Sequence, residues 1–240
     1  MAKHKRHQSE DRTWEGTNYD RKAFQDYLSM YPVSGIRLNA GILVLFFLNL
    51  FLIIPVMSVP YKPIYAYILF PPLAVMNVWA VALITAPRKL QLNYVLFRGV
   101  FGIVCSLGFM IVTQKFAYEG LGFETPWYAL GSFAAYGFAL YQYIRSHIRK
   151  LESPRKKREE GAGISMVTLT VLTGLGYLLA NLSLIFVSEE TVAIVLMCVY
   201  SMLAFVMFHF ILELHRYYWL RQTRESAASS EKEKHPPQHI

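Results

Sequence analysis

Hydrophobic and polar residues are segregated into long blocks along this chain of 240 residues. Each apolar block contains about 20 residues or more, the length at which an α-helix crosses roughly 30 Å of hydrocarbon. The six blocks cover residues 38–59, 63–86, 94–113, 127–148, 164–187 and 191–219. None shows the alternation of a barrel strand, and backbone groups in lipid must find partners within their own segment. The pattern predicts an all-α integral membrane protein built as a bundle of six transmembrane helices.

Lys and Arg are distributed unevenly among the polar segments that separate these blocks. The N-terminal segment, the second connection, the central loop and the C-terminal tail hold 21 of the 24 cationic residues. The first and third connections hold Lys62 and Lys115, and the fifth holds none. Because cytoplasmic segments are enriched in Lys and Arg, both termini are predicted to be cytoplasmic, which requires an even number of helices. The predicted location is the cell membrane, either bacterial cytoplasmic or plasma.

The polar segments at the two ends complete the predicted domain organisation. Residues 1–36 form a cytoplasmic segment that ends in a short amphipathic helix, because apolar residues recur at helical spacing at Phe24, Tyr27, Leu28 and Tyr31. This helix either lies on the inner leaflet, docks a partner, or packs on its own bundle. Residues 37–222 form the transmembrane domain, with a cytoplasmic basic loop at 149–163. Residues 223–240 lack apolar periodicity, which predicts a disordered cytoplasmic tail.

Composition and charge exclude two classes of protein. A chain with 54% hydrophobic and 17% charged residues is not an ordinary soluble domain. A net charge of +8 would suggest nucleic acid if the cations shared one face, but they are divided among segments between apolar blocks. Their predicted partners are anionic lipids of the inner leaflet, and a membrane protein or a second copy of the chain is the other expected partner. Cys105 and Cys198 have neither disulfide nor zinc spacing and are predicted to be small core residues.

The central loop contains the densest run of cations, directly after Pro154. It consists of Arg155, Lys156, Lys157 and Arg158. At about 1 kcal/mol per cation near an anionic leaflet, this cluster is predicted to bind lipid headgroups and to set the topology. Arg98 is assigned the same role, because it lies near the cytoplasmic end of the third helix and its long side chain reaches the headgroups. An ion pair within the bundle is the alternative for Arg98.

Two consecutive prolines, Pro71 and Pro72, lie near the middle of the second helix. Proline has no amide donor, and its ring clashes with the preceding turn. A break in the helix is therefore expected here. It is either a kink that the neighbouring helices absorb or a discontinuity whose free carbonyls line a polar cavity.

A few polar side chains inside the blocks are candidates for chemistry. His209 and Glu213 are four residues apart and are predicted to share a helical face, and His147 on the fourth helix would approach them from another helix. Such a group would form a proton relay or part of a metal site, whereas ordinary interface residues are the simpler interpretation. Asn49, Asn77 and Asn181 are expected to bond between helices. No catalytic residue, metal ligand or cofactor is assigned.

Small residues form a stripe on the fourth helix, at the strict four-residue spacing of Gly131, Ala135 and Ala139. The third helix contributes Gly102 and Ser106. Because small side chains let two helix backbones approach closely, these positions are predicted to pack helices within one chain or between protomers.

Several functional classes lose support from what the sequence lacks. No Asp or Glu lies at the centre of any block, which counts against proton-coupled or sodium-coupled transport. Motifs for nucleotide binding, serine hydrolysis and zinc proteolysis are also missing. We therefore expect a non-enzymatic accessory, sensor or scaffold subunit of a membrane complex. The alternatives are a channel or uncoupled transporter for a small or lipophilic solute, and an intramembrane enzyme that uses His209 and Glu213.

Overall fold

The computed structural model describes residues 28, 29, 31–152 and 188–234, and within these residues all regular structure is helical. The first four helices are α1 (Val33–Met57), α2 (Pro63–Thr85), α3 (Gln91–Gly120) and α4 (Trp127–Glu152). The last, α5, spans residues 189–234 in three consecutive segments, Glu189–Val206, Phe208–Ile211 and Glu213–Lys234. The predicted helix at 164–187, most of the N-terminal segment and the cluster Arg155 to Arg158 lie outside the described residues.

Four of these helices are long and apolar enough to cross a membrane, namely α1, α2, α3 and the part of α5 at Glu189–Ser226. The helix α4 has 26 residues but is less apolar, because tyrosines, a glutamine and a serine interrupt its hydrophobic sequence. The all-α class and the apolar helices that suit membrane insertion are therefore present in the described structure. A membrane crossing by α4 stays a prediction, as does the total of six helices.

The buried residues of α1 recur at every fourth position, at Ile36, Ala40, Val44, Leu48, Leu52 and Val56. Four residues overshoot one α-helical turn by about 40°, so such a stripe would rotate around a regular helix. A π-helical stretch at Gly41–Leu48 interrupts α1. A π-helix bonds residues five apart and has more residues per turn, so it rotates the stripe of buried residues in the opposite direction and cancels the drift. The same face of α1 therefore meets the bundle along its whole length.

The helix α3 is the centre of the described bundle. Its large aromatic side chains, including Tyr94, Phe97 and Phe109, are fully buried. Its small residues face α5 at very short range: a Cβ added at Gly102 would lie 2.8 Å from the backbone nitrogen of Ile211. This close approach lets the helices interlock, because no side chain separates the two backbones.

Apolar side chains cover the outside of the bundle, and polar side chains lie within it. Large exposed residues include Phe46 on α1, Val78 on α2 and Met202 on α5. The buried polar residues include Ser106, Gln114 and Lys115 on α3 and Glu213 on α5. Soluble proteins have the opposite distribution, because their cores exclude unpaired charges. The outer surface is therefore suited to lipid.

The helix α2 continues through Pro71 and Pro72 as one α-helix, so the break expected from the sequence is not present. The proline ring fixes φ near its helical value, and the cost is confined to the preceding turn. Apolar residues pack into the core on both sides of the two prolines, at Leu69, Leu73 and Met76. This packing supports the two halves of α2 as one continuous helix.

The C-terminal end of the described chain differs from the expectation, whereas the N-terminal prediction is described only at its last residues. The helix α1 begins at Val33, and Tyr31 precedes it in a non-helical segment. Phe24 and Tyr27 of the predicted amphipathic helix lie outside the described residues. The helix α5 continues to Lys234, into the tail that was predicted to be disordered. Its exposed surface is stabilised locally, since Arg221 pairs with Glu225 one turn later at 2.7 Å. Such pairs contribute about 0.2–0.5 kcal/mol each to a helix, independently of any apolar block.

Candidate functional site

A buried ionic group lies where the start of α1 meets α3 and α5. The Glu213 carboxylate accepts a hydrogen bond from the Tyr31 hydroxyl at 2.6 Å. One carboxylate oxygen is 3.4 Å from an Arg98 guanidinium nitrogen, and the other is 3.2 Å from that of Arg216. We call these four residues, Tyr31, Arg98, Glu213 and Arg216, the Glu213 network. It joins two helices and the segment before α1 through one carboxylate.

Helix geometry explains how the network is assembled. Arg216 follows Glu213 by three residues and therefore lies one turn along the same face. Arg98 projects from α3, where Gly99 lets α5 approach: a Cβ added at Gly99 would lie 2.5 Å from a methyl carbon of Leu214. Because the two helices touch at this level, the Arg98 side chain reaches Glu213 directly.

Both guanidinium groups of the network lie over the Tyr31 ring. The Arg98 and Arg216 guanidinium carbons are 4.7 Å and 4.5 Å from the ring centre. Arg216 also donates a hydrogen bond to the carbonyl of Ser29. Cation–π contacts contribute about 0.5–2 kcal/mol each, the larger values applying to desolvated groups. The segment before α1 is therefore fixed to the bundle by its aromatic ring, its hydroxyl and its backbone.

The electrostatic balance of the network is positive, because two guanidiniums share one carboxylate. Burial, the hydrogen bond to Glu213 and the negative charge of Glu213 raise the pKa of Tyr31 from 10.0 to about 12. The two arginines lower this pKa, but their influence is smaller. Tyr31 is therefore a neutral hydrogen-bond donor at physiological pH, and the carboxylate remains an acceptor for all three partners.

The predicted cluster of His147, His209 and Glu213 does not form. Glu213 contacts Tyr31, Arg98 and Arg216, and no histidine is among its partners in the described structure. His209 is exposed, and His147 is half-buried on α4. His209 is on the outside of α5, whereas Glu213 is buried against α3 and the segment before α1. No group of three or more His, Cys, Asp or Glu residues within the described part could hold a metal ion.

Arg98 makes the ion pair that the sequence left as an alternative to a lipid headgroup contact. Its side chain is 13% exposed and is directed into the bundle towards Glu213. Because a buried carboxylate lies within reach, the Arg98 guanidinium group does not need to extend to lipid headgroups to find a partner. The cations at Arg155, Lys156, Lys157 and Arg158 lie outside the described residues.

The small-residue stripe on α4 is placed differently from that on α3. Gly131 and Ala135 are exposed, and Ala139 is half-buried against the core. A Cβ added at Gly131 meets no described atom within 4 Å. On α3, by contrast, Gly102 packs against α5, and the Ser106 hydroxyl donates to the Ala204 carbonyl at 2.6 Å. The close helix contact in the described structure is therefore made by α3.

Lys115 is a buried cation, although the sequence pattern predicts that it lies in the third connection, outside the membrane. The structure buries it at the end of the α-helical part of α3, where it is 1% exposed. Its ammonium group donates to the carbonyls of Pro55, Val56 and Ser58 at 2.6, 3.1 and 2.7 Å. The last carbonyls of a helix lack amide partners, and a cation there also opposes the helix dipole. Lys115 thus caps the end of α1.

Amides also join helices within the apolar region. Asn49 on α1 and Asn77 on α2 exchange two side-chain hydrogen bonds of 2.8 and 2.9 Å, as their type suggested. Gln114 on α3 donates to Ser132 on α4 at 2.9 Å. These bonds join neighbouring helices through amide and hydroxyl groups, and each such bond contributes about 0.6–2 kcal/mol in an apolar environment.

Comparison with known proteins adds no relative to this description. No family model, curated protein or solved structure matches the chain. The functional inference therefore depends on the helices and on the side chains that join them.

Proposed function

We propose that this chain is an integral protein of the cell membrane, with six transmembrane helices and both termini in the cytoplasm. Its role is that of a non-enzymatic accessory, sensor or scaffold subunit in a membrane complex. The observation that supports this role is the use of the polar side chains within the helices. They bond one helix to another, and an apolar outer face is left for lipid or for another membrane protein.

The helix α3 provides the main support, because its polar residues contact three other helices. Arg98 pairs with α5, Lys115 caps α1, and Gln114 bonds to α4. Ser106 bonds to α5 and also accepts a hydrogen bond from Tyr136 of α4 at 2.8 Å. A helix that uses its polar groups in this way stabilises a fixed arrangement of its neighbours. Such an arrangement suits a scaffold.

The proposed orientation has support from the contacts at the two ends. The start of α1 meets Arg98 and Glu213, whereas the end of α1 meets Lys115. At the first end lie Arg98 and Arg216, together with the connection between α2 and α3, which holds Arg88 and Lys89. The second end carries Lys62 together with acidic residues such as Glu119. Cytoplasmic placement of the first end therefore follows the positive-inside rule.

Single-cysteine labelling tests this orientation. The background is Cys105→Ala with Cys198→Ser, and the new cysteines are Val59→Cys after α1 and Ser229→Cys near the end of α5. A membrane-impermeant maleimide applied to intact cells is expected to label the cysteine at position 59. The cysteine at position 229 is expected to react only after the cells are permeabilised. The reverse pattern, or equal labelling of both, would contradict the topology.

The proposed role is tested separately. Solubilisation in mild detergent is expected to give a discrete complex with a stoichiometric membrane-protein partner, detected by native electrophoresis and mass spectrometry. Liposomes that contain the purified chain are expected to swell in glycerol at the rate of empty liposomes and to keep their lipid composition. Faster swelling would favour a channel, and lipid turnover would favour an enzyme, and either would refute the scaffold role. The channel hypothesis was based on a broken second helix, and α2 is continuous.

A further inference from the structure

An open cleft of about 520 Å³ lies at the end of the bundle opposite the Glu213 network. The end of α1, the π-helical end of α3 and the first turns of α5 form its walls. Its apolar surface includes Ile54, Val59, Val192 and Leu196. This volume falls within the range of roughly 300–1,000 Å³ that small-molecule sites occupy.

The polar lining of the cleft combines carboxylates with aromatic rings. Glu119 and Glu189 are its charged residues, and Phe116 and Tyr200 contribute rings whose centres are 6.0 Å apart. Tyr200 is only 8% exposed, yet it makes no hydrogen bond within the described part of the chain. Its hydroxyl can bond to water or to a molecule in the cleft. The cleft therefore contains a polar group that a bound molecule would satisfy.

The cations near the cleft are already engaged. Lys115 donates its hydrogen bonds to the end of α1. Lys62 pairs with Glu119 at 3.5 Å, but its side chain is 53% exposed, so this pair is weak and readily exchanged. Glu189 makes no ion pair within the described residues. An arriving cation would therefore find one carboxylate that pairs with no described cation and a second that is weakly held.

We propose that this cleft binds an amphiphile with an ammonium head and an aliphatic tail. Carboxylates attract the positive charge, and the faces of Phe116 and Tyr200 stabilise an ammonium group through their ring quadrupoles. The tail lies along Val192 and Leu196 at the start of α5, where an apolar wall continues into the membrane-facing surface. The head belongs either to an amine-bearing lipid or to a free alkylamine. This ligand site goes beyond the scaffold role and does not depend on it.

Photolabelling of the full chain in dodecyl maltoside micelles tests the proposal. The probes are a dodecylamine with a diazirine in its tail and the matched dodecyl alcohol, and the readout is mass-spectrometric labelling of the peptide that contains Val192 and Leu196. The amine is expected to label this peptide saturably, and the alcohol is not. Glu189→Gln is expected to weaken saturable labelling about tenfold, as loss of a well-placed charge contact would.

Glu190→Gln provides the matched control, because Glu190 is the next residue on the same helical turn and does not line the cleft. It is expected to bind the amine like the unaltered chain. Leu196→Trp fills the cleft and is expected to abolish labelling, with elution volume and thermal midpoint showing that the variant folds. If it does not fold, Val192→Trp at the exposed rim replaces it. Equal labelling by both probes, or equal losses in the two glutamate variants, would overturn the proposal.

Competition separates the two sources of the ligand. Added phosphatidylethanolamine that displaces the probe identifies a lipid headgroup as the ligand. Displacement by unlabelled dodecylamine but not by the lipid identifies a free cationic amphiphile. If neither competes, the labelling is non-specific, and the proposed site is refuted.

Discussion

Replacement of Glu213 by Gln removes a single charge from the Glu213 network and preserves the shape of the side chain. The amide oxygen can still accept the Tyr31 hydroxyl proton, so the change isolates the ionic contribution. Two guanidiniums, on side chains that are 13% and 9% exposed, then lack their carboxylate. Removal of one member of a buried ion pair typically costs about 3–5 kcal/mol, because the remaining charge stays desolvated. We expect about 3 kcal/mol for Glu213→Gln, since both arginines retain some access to solvent.

Glu225→Gln is the matched control for this change. Glu225 pairs with Arg221 at 2.7 Å, which is closer than either ion pair of Glu213, but the two side chains are 62% and 64% exposed. Exposed pairs are worth about 0–1 kcal/mol regardless of such a short distance. Distance alone would therefore rank Glu225 above Glu213, whereas burial predicts the reverse order.

The assay is thermal unfolding of the purified chain in a fixed detergent, followed by circular dichroism. A change of 1 kcal/mol shifts the midpoint by about 2–4 °C for a chain of this size, so Glu213→Gln should lower it by roughly 6–12 °C. The control should shift it by about 4 °C at most. Arg98→Met should destabilise the Glu213→Gln variant less than it destabilises the unaltered chain. The difference, which is the coupling free energy between the two residues, should be about 1–3 kcal/mol. Equal shifts for the two glutamine variants would refute the argument from burial.

Three further predictions concern other contacts and use the same thermal assay. Gly102→Ala should lower the midpoint by about 5 °C or more, because its Cβ would meet the α5 backbone, whereas Gly131→Ala should leave it unchanged or raise it slightly. Lys115→Met should lower the free energy of unfolding by about 2–4 kcal/mol, because it removes the donor to the carbonyls at the end of α1. Lys62→Met, at an exposed lysine, should lower it by about 1 kcal/mol or less. A neutral Tyr31 is favoured by folding, so its contribution is complete below pH 10 and is lost as pH rises towards about 12. Tyr31→Phe should therefore be less stable at pH 8 and should decline less than the unaltered chain between pH 10 and 12; parallel curves would contradict this.

The positions of the helices followed from the sequence where hydrophobic length alone decides them. The helix α2 occupies Pro63–Thr85, within one residue of the apolar block at 63–86. Pro63 suits the first position of a helix, where its missing donor has no consequence. The helix α3 extends beyond its block at both ends, to Gln91 and Gly120. The apolar pattern stops at charged or polar residues such as Lys115, although a partner on another helix allows such a residue to remain in the bundle.

The candidate site was only partly predictable. Arg98 and Glu213 each stood out as charges close to apolar blocks, but their pairing depends on the contact between α3 and α5. That contact is made possible by Gly99 and Gly102, whose role is visible only when the facing helix is known. The spacing rule instead associated Glu213 with His209, but His209 is exposed and Glu213 is buried. Periodicity describes one regular helix and cannot identify which neighbour it meets.

The Glu213 network and Lys115 hold opposite ends of α1, and Lys115 also connects α1 to the proposed ligand cleft. Tyr31 fixes the segment before α1 to Glu213, and Lys115 fixes the last carbonyls of α1 to α3. Pro55 and Ser58 belong both to the Lys115 cap and to the wall of the cleft. Loss of the cap would therefore loosen one wall of the cleft while leaving Glu189 in place. Lys115→Met should weaken amine labelling without removing its preference over the alcohol, which distinguishes a positioning residue from one that binds the ammonium head.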